Sequence, residues 1–173
     1  ALEVYKNSKM PKSYFDWGQM LENNKSGFYP YTPATNLLYG LNESINMLLE
    51  EGLDNVFARH KRLADATRLA VEAWGLEILA KNPIERSDSI TAIMVPDGHD
   101  SDNLRKIIYD NYNMSLGTGL NKVKSKVFRI GHLGDLNDLS LMGALAGVEM
   151  GLKQSGIPYK SGGIMAAIDF LSS

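Results

Sequence analysis

A short apolar segment with a single arginine, residues 126–135, constrains this chain more than any other stretch. Val127, Phe128 and Ile130 favour a β-strand. Side chains alternate across a strand, so Phe128 and Ile130 share one face and Arg129 lies on the other. A guanidinium among apolar neighbours is costly unless it meets an anion, and a planar carboxylate fits it bidentately. The anion could belong to a ligand or, since structural ion pairs are more common than ligand sites, to an Asp or Glu of the same protein.

The composition excludes several kinds of function. The chain has 173 residues and a formal net charge of -2, so no bulk electrostatic attraction draws it to nucleic acid or to an anionic membrane. The absence of cysteine rules out disulfides, zinc–thiolate sites, iron–sulfur clusters and cysteine nucleophiles. No apolar run approaches the roughly 20 residues that span a bilayer. We therefore expect a cytoplasmic protein whose partners include neither nucleic acid nor membrane.

A second informative segment, residues 27–36, combines aromatic, hydroxyl and proline residues. Thr32 followed by Pro33 predicts a helix start, with a hydroxyl N-cap and then proline at the first helical position. A helix N-terminus offers free N–H groups and a positive dipole end, so it can hold a phosphate. The hydroxyls of Thr32 and Tyr29 would strengthen such a site. Alternatively, the cap serves only the helix.

The remaining pattern predicts a small α+β domain. A long helix is expected over 53–74, followed by strands over 76–80, 90–95 and 114–116 and by the strand that contains Arg129. The 90–95 strand is apolar on both faces, which indicates a central position. One helix is expected to be capped by Asp100 or Ser101, the next by Asp135 or Asn137, and a last helix is expected to begin near Gly162. The sum is a sheet of three or four mostly antiparallel strands with helices on one face.

Two further patterns bear on this domain. Gly143, Ala144, Ala146 and Gly147 predict that the helix after Asn137 packs closely against the sheet. The turn and cap around residues 97–102 contain His99, Asp100 and Asp102, which do not form a convincing metal site, so we expect no bound metal.

Two motifs are specific in combination. They are Tyr-Thr-Pro-Ala-Thr-Asn-Leu-Leu-Tyr-Gly-Leu at 31–41 and Phe-Arg-Ile-Gly-His-Leu-Gly-Asp at 128–135. Shorter matches at 14–17, 50–56, 95–99 and 115–117 follow in the same order. With these motifs the sequence resembles the C-terminal half of class V, fold-type I pyridoxal-phosphate aminotransferases, in particular the serine–glyoxylate branch. The resemblance extends over essentially all 173 residues.

This resemblance implies an organisation and a set of site residues. Residues 1–52 would be the tail of a large α/β domain that binds pyridoxal phosphate, with the start of a long connecting helix. Residues 53–173 would be the small C-terminal α+β domain. Arg129 would bind the substrate α-carboxylate. Tyr29 and Thr32 would reach the cofactor phosphate of the partner subunit in a homodimer.

The family's Schiff-base lysine, and the aspartate that pairs with the pyridine nitrogen, are expected upstream of residue 1. The first residues, Ala-Leu-Glu-Val-Tyr-Lys, resemble neither a signal peptide nor a typical start of translation, so we expect a piece of a longer protein without its N-terminal large domain. Lys6, Lys9 and Lys12 come too late in the chain for the Schiff-base position. We therefore expect these 173 residues to be inactive by themselves.

The implied reaction transfers an amino group from serine, or another small amino acid, to glyoxylate or a similar 2-oxo acid. Two alternatives stay open. One is a related class V enzyme, such as an alanine–glyoxylate or ureidoglycine–glyoxylate aminotransferase. The other is a non-catalytic α+β module for binding or dimerisation.

Overall fold

The computed structural model describes all 173 residues and divides into two compact units, Ala1–Glu50 and Glu51–Ser173. The sequence predicts a domain boundary at residue 52. The assignment of the first unit to the tail of a larger domain stays a prediction. None of the helices is both long and apolar enough to cross a lipid bilayer.

The first unit is helical, and none of its residues is buried. It contains α1 (Leu2–Asn7), α2 (Trp17–Asn24) and most of α3 (Thr35–Glu51). Asp16 is the N-cap of α2, where its Oδ1 accepts hydrogen bonds from two backbone N–H groups at 2.9 and 3.1 Å. No residue of these helices is buried, although many of their side chains are large and apolar.

Helix α3 begins later than the sequence predicts. The N–H of Leu38 donates to the carbonyl of Ala34 at 3.1 Å, so helical hydrogen bonds start at Ala34 and not at Thr32. The carbonyl of Pro33 accepts the N–H of Thr35 at 2.9 Å, which is a tight turn and not a helical hydrogen bond. The prediction of Thr32 as the N-cap is therefore wrong, and Thr32 lies in the irregular segment that leads into the helix.

The second unit is built on a four-stranded antiparallel sheet, which confirms the predicted α+β class. Its strands are β1 (Glu77–Ile78), β2 (Ile90–Met94), β3 (Gly117–Thr118) and β4 (Val127–Gly131), in the spatial order β1-β2-β4-β3. Strand β2 is central, as its apolar residues on both faces predict. The predicted strand at 114–116 is displaced to β3, because the carbonyl of Leu116 accepts the Nε–H of Arg105 at 2.8 Å instead of pairing with a strand.

Four helices complete the second unit. They are α4 (Leu53–Ala73), α5 (Ser101–Tyr112), α6 (Asp138–Ser155) and α7 (Gly163–Leu171). Helix α4 lies on β1 and β2, and α5 lies on β3 and β4. Phe128 and Ile130 are buried in the core that these helices share with the sheet. Arg129 therefore occupies the opposite, helix-free face.

None of the three glycines of α6 has a strand residue among its nearest neighbours. A Cβ added at Gly151 would overlap the side chain of Ile108 on α5, and one added at Gly147 would meet Met114. Gly143 has nothing within 4 Å. The predicted close packing of the small residues against the sheet is thus wrong for Gly143 and Gly147, because one faces open space and the other faces Met114.

Candidate functional site

Arg129 lies at the centre of the open sheet face, between two small residues. Its register partners are Ala92 on β2 and Gly117 on β3. Directly opposed residues of antiparallel strands point to the same face, so Arg129 is flanked by a methyl group on one side and by bare backbone on the other. The register thus leaves room beside the guanidinium.

Arg129 is the only arginine of the chain without a carboxylate partner. Its side chain makes no ion pair within 4.0 Å, and its Nε is buried with no hydrogen-bond acceptor. The other five arginines form the pairs Arg59–Glu51, Arg62–Asp138, Arg68–Asp65, Arg86–Glu72 and Arg105–Asp102. The internal ion pair that the sequence left open is not formed. The chain therefore presents a guanidinium that lacks an anion.

A carboxylate on α5 ties down the edge strand beside Arg129. Asp102 accepts hydrogen bonds from the hydroxyl of Ser125 at 2.8 Å and from that of Thr118 on β3 at 3.0 Å. Arg105 pairs with the same carboxylate at 2.9 Å. The two hydroxyl donors, helped by Arg105, lower the pKa of Asp102, although partial burial opposes them. Strand β3 is thus fixed to α5 as well as to β4.

The residue that follows β4 is a buried histidine. His132 is fully buried, and its Nδ1 lies 3.0 Å from the carbonyl of Asp88. Because that carbonyl can only accept, Nδ1 carries the proton, and Nε2 accepts from the hydroxyl of Thr91 at 2.9 Å. Burial lowers the pKa of His132. The side chain is satisfied within the fold and anchors the end of the strand that carries Arg129.

Two α4 side chains hold the loop that comes next. Arg59 donates to the carbonyl of Gly134 at 2.8 Å while binding Glu51 bidentately at 2.6 and 2.7 Å. Donation from Arg59 lowers the pKa of Glu51. The Nε2 of His60 accepts the N–H of Gly134 at 3.1 Å. Sequence spacing does not reveal this role of His60, because Gly134 lies 74 residues further along the chain.

Tyr29 and Thr32, the predicted phosphate ligands, line one cavity of the first unit. This cavity has a volume of about 400 Å³ and mostly apolar walls that include Tyr14 and Leu37. It adjoins the first turn of α3, where the N–H groups of Asn36 and Leu37 have no acceptor. Two hydroxyl residues and two free N–H groups are donors that suit a phosphate.

No protein-family model matches this chain. Among curated proteins, it is 52% identical to a serine–glyoxylate aminotransferase of Hyphomicrobium methylovorum and 51% identical to one of Arabidopsis thaliana. Both matches cover 99% of this chain and 43% of the relative. An L-aspartate–glyoxylate aminotransferase of Paracoccus denitrificans is 43% identical over 96% of this chain and 42% of its own length. The chain thus spans less than half the length of these relatives.

Two solved structures resemble the fold. Ureidoglycine–glyoxylate aminotransferase from Bacillus subtilis superimposes with a TM-score of 0.85 at 24% identity, over 98% of this chain and 44% of its own. Pyridoxamine–pyruvate aminotransferase from Mesorhizobium loti gives a TM-score of 0.78 at 31% identity, over 84% of this chain and 38% of its own. The first likeness establishes the fold alone, and the second adds similarity in sequence.

Proposed function

We propose that this chain, which belongs to the class V aminotransferases, forms part of an enzyme that transfers an amino group from serine to glyoxylate. In its broader form, the proposal allows another small amino acid as the amino donor and a similar 2-oxo acid as the acceptor. The observation that carries it is the unpaired guanidinium of Arg129 on an open sheet face. Every amino acid and 2-oxo acid brings the carboxylate that this guanidinium lacks.

Arg129 would bind the substrate α-carboxylate through two parallel hydrogen bonds. The buried Nε would then gain an acceptor, which removes the cost of an unsatisfied donor. Ala92 and Gly117 leave space for the carboxylate beside the guanidinium. A carboxylate held in this way restricts rotation of the substrate, so that its Cα–H can be aligned for proton removal.

The relatives imply pyridoxal phosphate as the cofactor, which when bound supplies an electron sink for the carbanion at the substrate Cα. Tyr29 and Thr32 would contact its phosphate together with the free N–H groups at the start of α3. As a finer proposal, the phosphate that they contact is that of the partner subunit in a homodimer. The lysine that bears the cofactor is expected in a large domain that precedes these residues.

The surface of the first unit supports both a large domain and a homodimer as partners. Large apolar side chains along and before α3 are exposed, among them Phe28 at 68%, Leu37 at 74% and Tyr39 at 78%. Apolar surface of this extent in a segment without any buried residue is typical of a face that further polypeptide covers. Light scattering of the complete encoded protein is expected to give a dimer, and a stable monomer would contradict this proposal.

Serine is favoured as the donor because, over the aligned residues, the relatives named for serine are 51–52% identical to this chain, whereas the one named for aspartate is 43% identical. Arg129 cannot distinguish between donors, since the α-carboxylate is common to all of them. The test is to assay the complete encoded protein with pyridoxal phosphate, glyoxylate and either L-serine, L-alanine or L-aspartate. We expect the highest kcat/KM with L-serine. Absence of transamination with every donor would refute the proposal.

A further inference from the structure

We infer that Gly117 is a positioning residue for Arg129 and that its missing side chain sets the direction in which the guanidinium leaves the sheet. The inference rests on the proposed role of Arg129 as the carboxylate ligand. Gly117 and Arg129 are direct register partners on the adjacent antiparallel strands β3 and β4. They therefore face each other on the open side of the sheet.

The Arg129 side chain lies across the bare backbone of Gly117. A Cβ at position 117 would be 3.0 Å from both the Cβ and the Nε of Arg129, and 3.4 Å from its Cζ. Carbon atoms in favourable contact are about 3.5–4.0 Å apart, so an added methyl group would be too close to the Cβ and Nε of Arg129, while its Cζ would be in ordinary contact. The overlap with Nε can be relieved by rotation of the Arg129 side chain. The distance between the two Cβ atoms is fixed by the backbones of β3 and β4, so it can increase only by a small shift of the strands.

The strands are held against such a movement. On one side of Gly117, the carbonyl of Leu116 accepts the Nε–H of Arg105 at 2.8 Å. On the other side, the hydroxyl of Thr118 donates to Asp102 at 3.0 Å. Arg105 and Asp102 are themselves paired at 2.9 Å on α5. Because β3 is tied down on both sides of Gly117, the strands can shift only slightly, and the remaining strain of a larger residue is relieved by rotation of the Arg129 side chain.

The backbone itself gives no reason for a glycine at this position. Gly117 is not among the residues with positive φ, so its conformation is open to any L-amino acid. Glycine within a strand weakens it and often marks a site of close approach. Space for Arg129 is thus the one feature of the structure that accounts for Gly117. Alanine at 117 is therefore expected to impair substrate binding more than it lowers the stability of the fold.

The experiment compares Gly117→Ala, Arg129→Ala and the double variant in the complete encoded enzyme, assayed with L-serine and glyoxylate. We expect Gly117→Ala to raise the KM for serine about tenfold, since small displacements of a positioning group have effects of this size. The midpoint of thermal unfolding should fall only slightly, and kcat should change less than KM. In the Arg129→Ala background, Gly117→Ala should raise the KM for serine no further, because the guanidinium through which Gly117 acts is absent. Gly143→Ala is the matched control, since a Cβ there meets nothing within 4 Å.

Two results would overturn the inference. If Gly117→Ala lowers the unfolding midpoint and leaves the KM for serine unchanged, the glycine is only structural. If the KM increases of the two single variants multiply in the double variant, Gly117 does not act through Arg129. An unchanged KM in Arg129→Ala itself is a separate outcome, and it refutes the proposed carboxylate role on which the inference rests.

Discussion

Trp74, at the end of α4, donates its indole N–H to the Oε2 of Glu149 on α6 at 2.7 Å. The same oxygen accepts the backbone N–H of Ile164 at 3.2 Å, in the first turn of α7. The residue before this helix, Gly162, has no side chain with which to cap it. One carboxylate oxygen from α6 thus satisfies a fully buried tryptophan and acts as the cap of α7.

Replacing Glu149 by alanine is expected to destabilise the second unit by about 1–3 kcal/mol, because the buried indole N–H and the first turn of α7 lose their shared acceptor. Glu149→Gln retains an amide oxygen at the same place and should cost less. Chemical denaturation of both variants measures the two losses. Equal losses in the two variants would show that charge, and not the hydrogen bonds, accounts for the effect.

Two glycines of α6 should respond in opposite directions to the same substitution. Gly151→Ala places a methyl group into the side chain of Ile108, which predicts a loss of about 1–3 kcal/mol through overpacking. Gly143→Ala adds a methyl group in open space, and alanine favours the helix, which predicts a gain of up to about 1 kcal/mol. The free energies of unfolding of the two variants test the observed contact of α6 with α5. No loss for Gly151→Ala would contradict that contact, and a loss for Gly143→Ala would contradict the open surroundings of Gly143.

Sequence patterns predicted best those elements whose signals are local. The apolar residues of β2 appear on both faces, and its predicted range 90–95 differs by one residue from the observed Ile90–Met94. Asp100 and Asn137 are the observed N-caps of α5 and α6, because a side chain that accepts nearby N–H groups acts within a few residues. The central position of β2 and the α+β class follow from the same local signals.

Features that depend on contacts between residues far apart in the chain could not be predicted from the sequence. The position of β3 depends on Arg105 of α5, whose Nε–H donates to the carbonyl of Leu116 and so removes this carbonyl from strand pairing. The hydrogen bond of His60 with Gly134, in the loop after β4, joins residues that are 74 positions apart in the chain. The sequence could place Arg129 on one face of a strand, but only the folded chain shows that no acidic residue pairs with it.

The buried hydrogen bonds of His132 predict that stability depends on pH. Burial lowers its folded-state pKa below the ordinary value of 6.5, and the nearby positive charge of Arg68 acts in the same direction, while Asp88 opposes it. The unfolded chain then binds a proton that the folded chain does not, so the free energy of unfolding falls as pH decreases through 6.5. The contribution of His132 to the free energy of unfolding stops falling once the pH is below its folded-state pKa. Above 6.5 this histidine adds no pH dependence.

The contribution of His132 can be isolated with a variant that does not titrate. The slope from one proton is at most about 1.4 kcal/mol per pH unit, and it should be present in the wild type between pH 6.5 and 5 but reduced in His132→Asn. Denaturant unfolding at a series of pH values measures both slopes. The variant is expected to be less stable at pH 8, where the hydrogen bonds with Thr91 and Asp88 are intact in the wild type. An identical slope in the two proteins would assign the pH dependence to other groups.

Arg129→Ala in the complete encoded enzyme is expected to raise the KM for the amino donor by at least about tenfold, because a charge-assisted bidentate pair is worth more than about 1.4 kcal/mol. Arg129→Lys retains the charge but loses the planar pair of donors, so its KM should lie between those of alanine and the wild type. Arg86→Ala is the control, since that guanidinium already faces Glu72 at 3.9 Å and needs no substrate anion. Steady-state kinetics with L-serine and glyoxylate measures all three. A KM for Arg129→Ala equal to that of the wild type would exclude Arg129 as the carboxylate ligand, and the unpaired guanidinium would then need another partner.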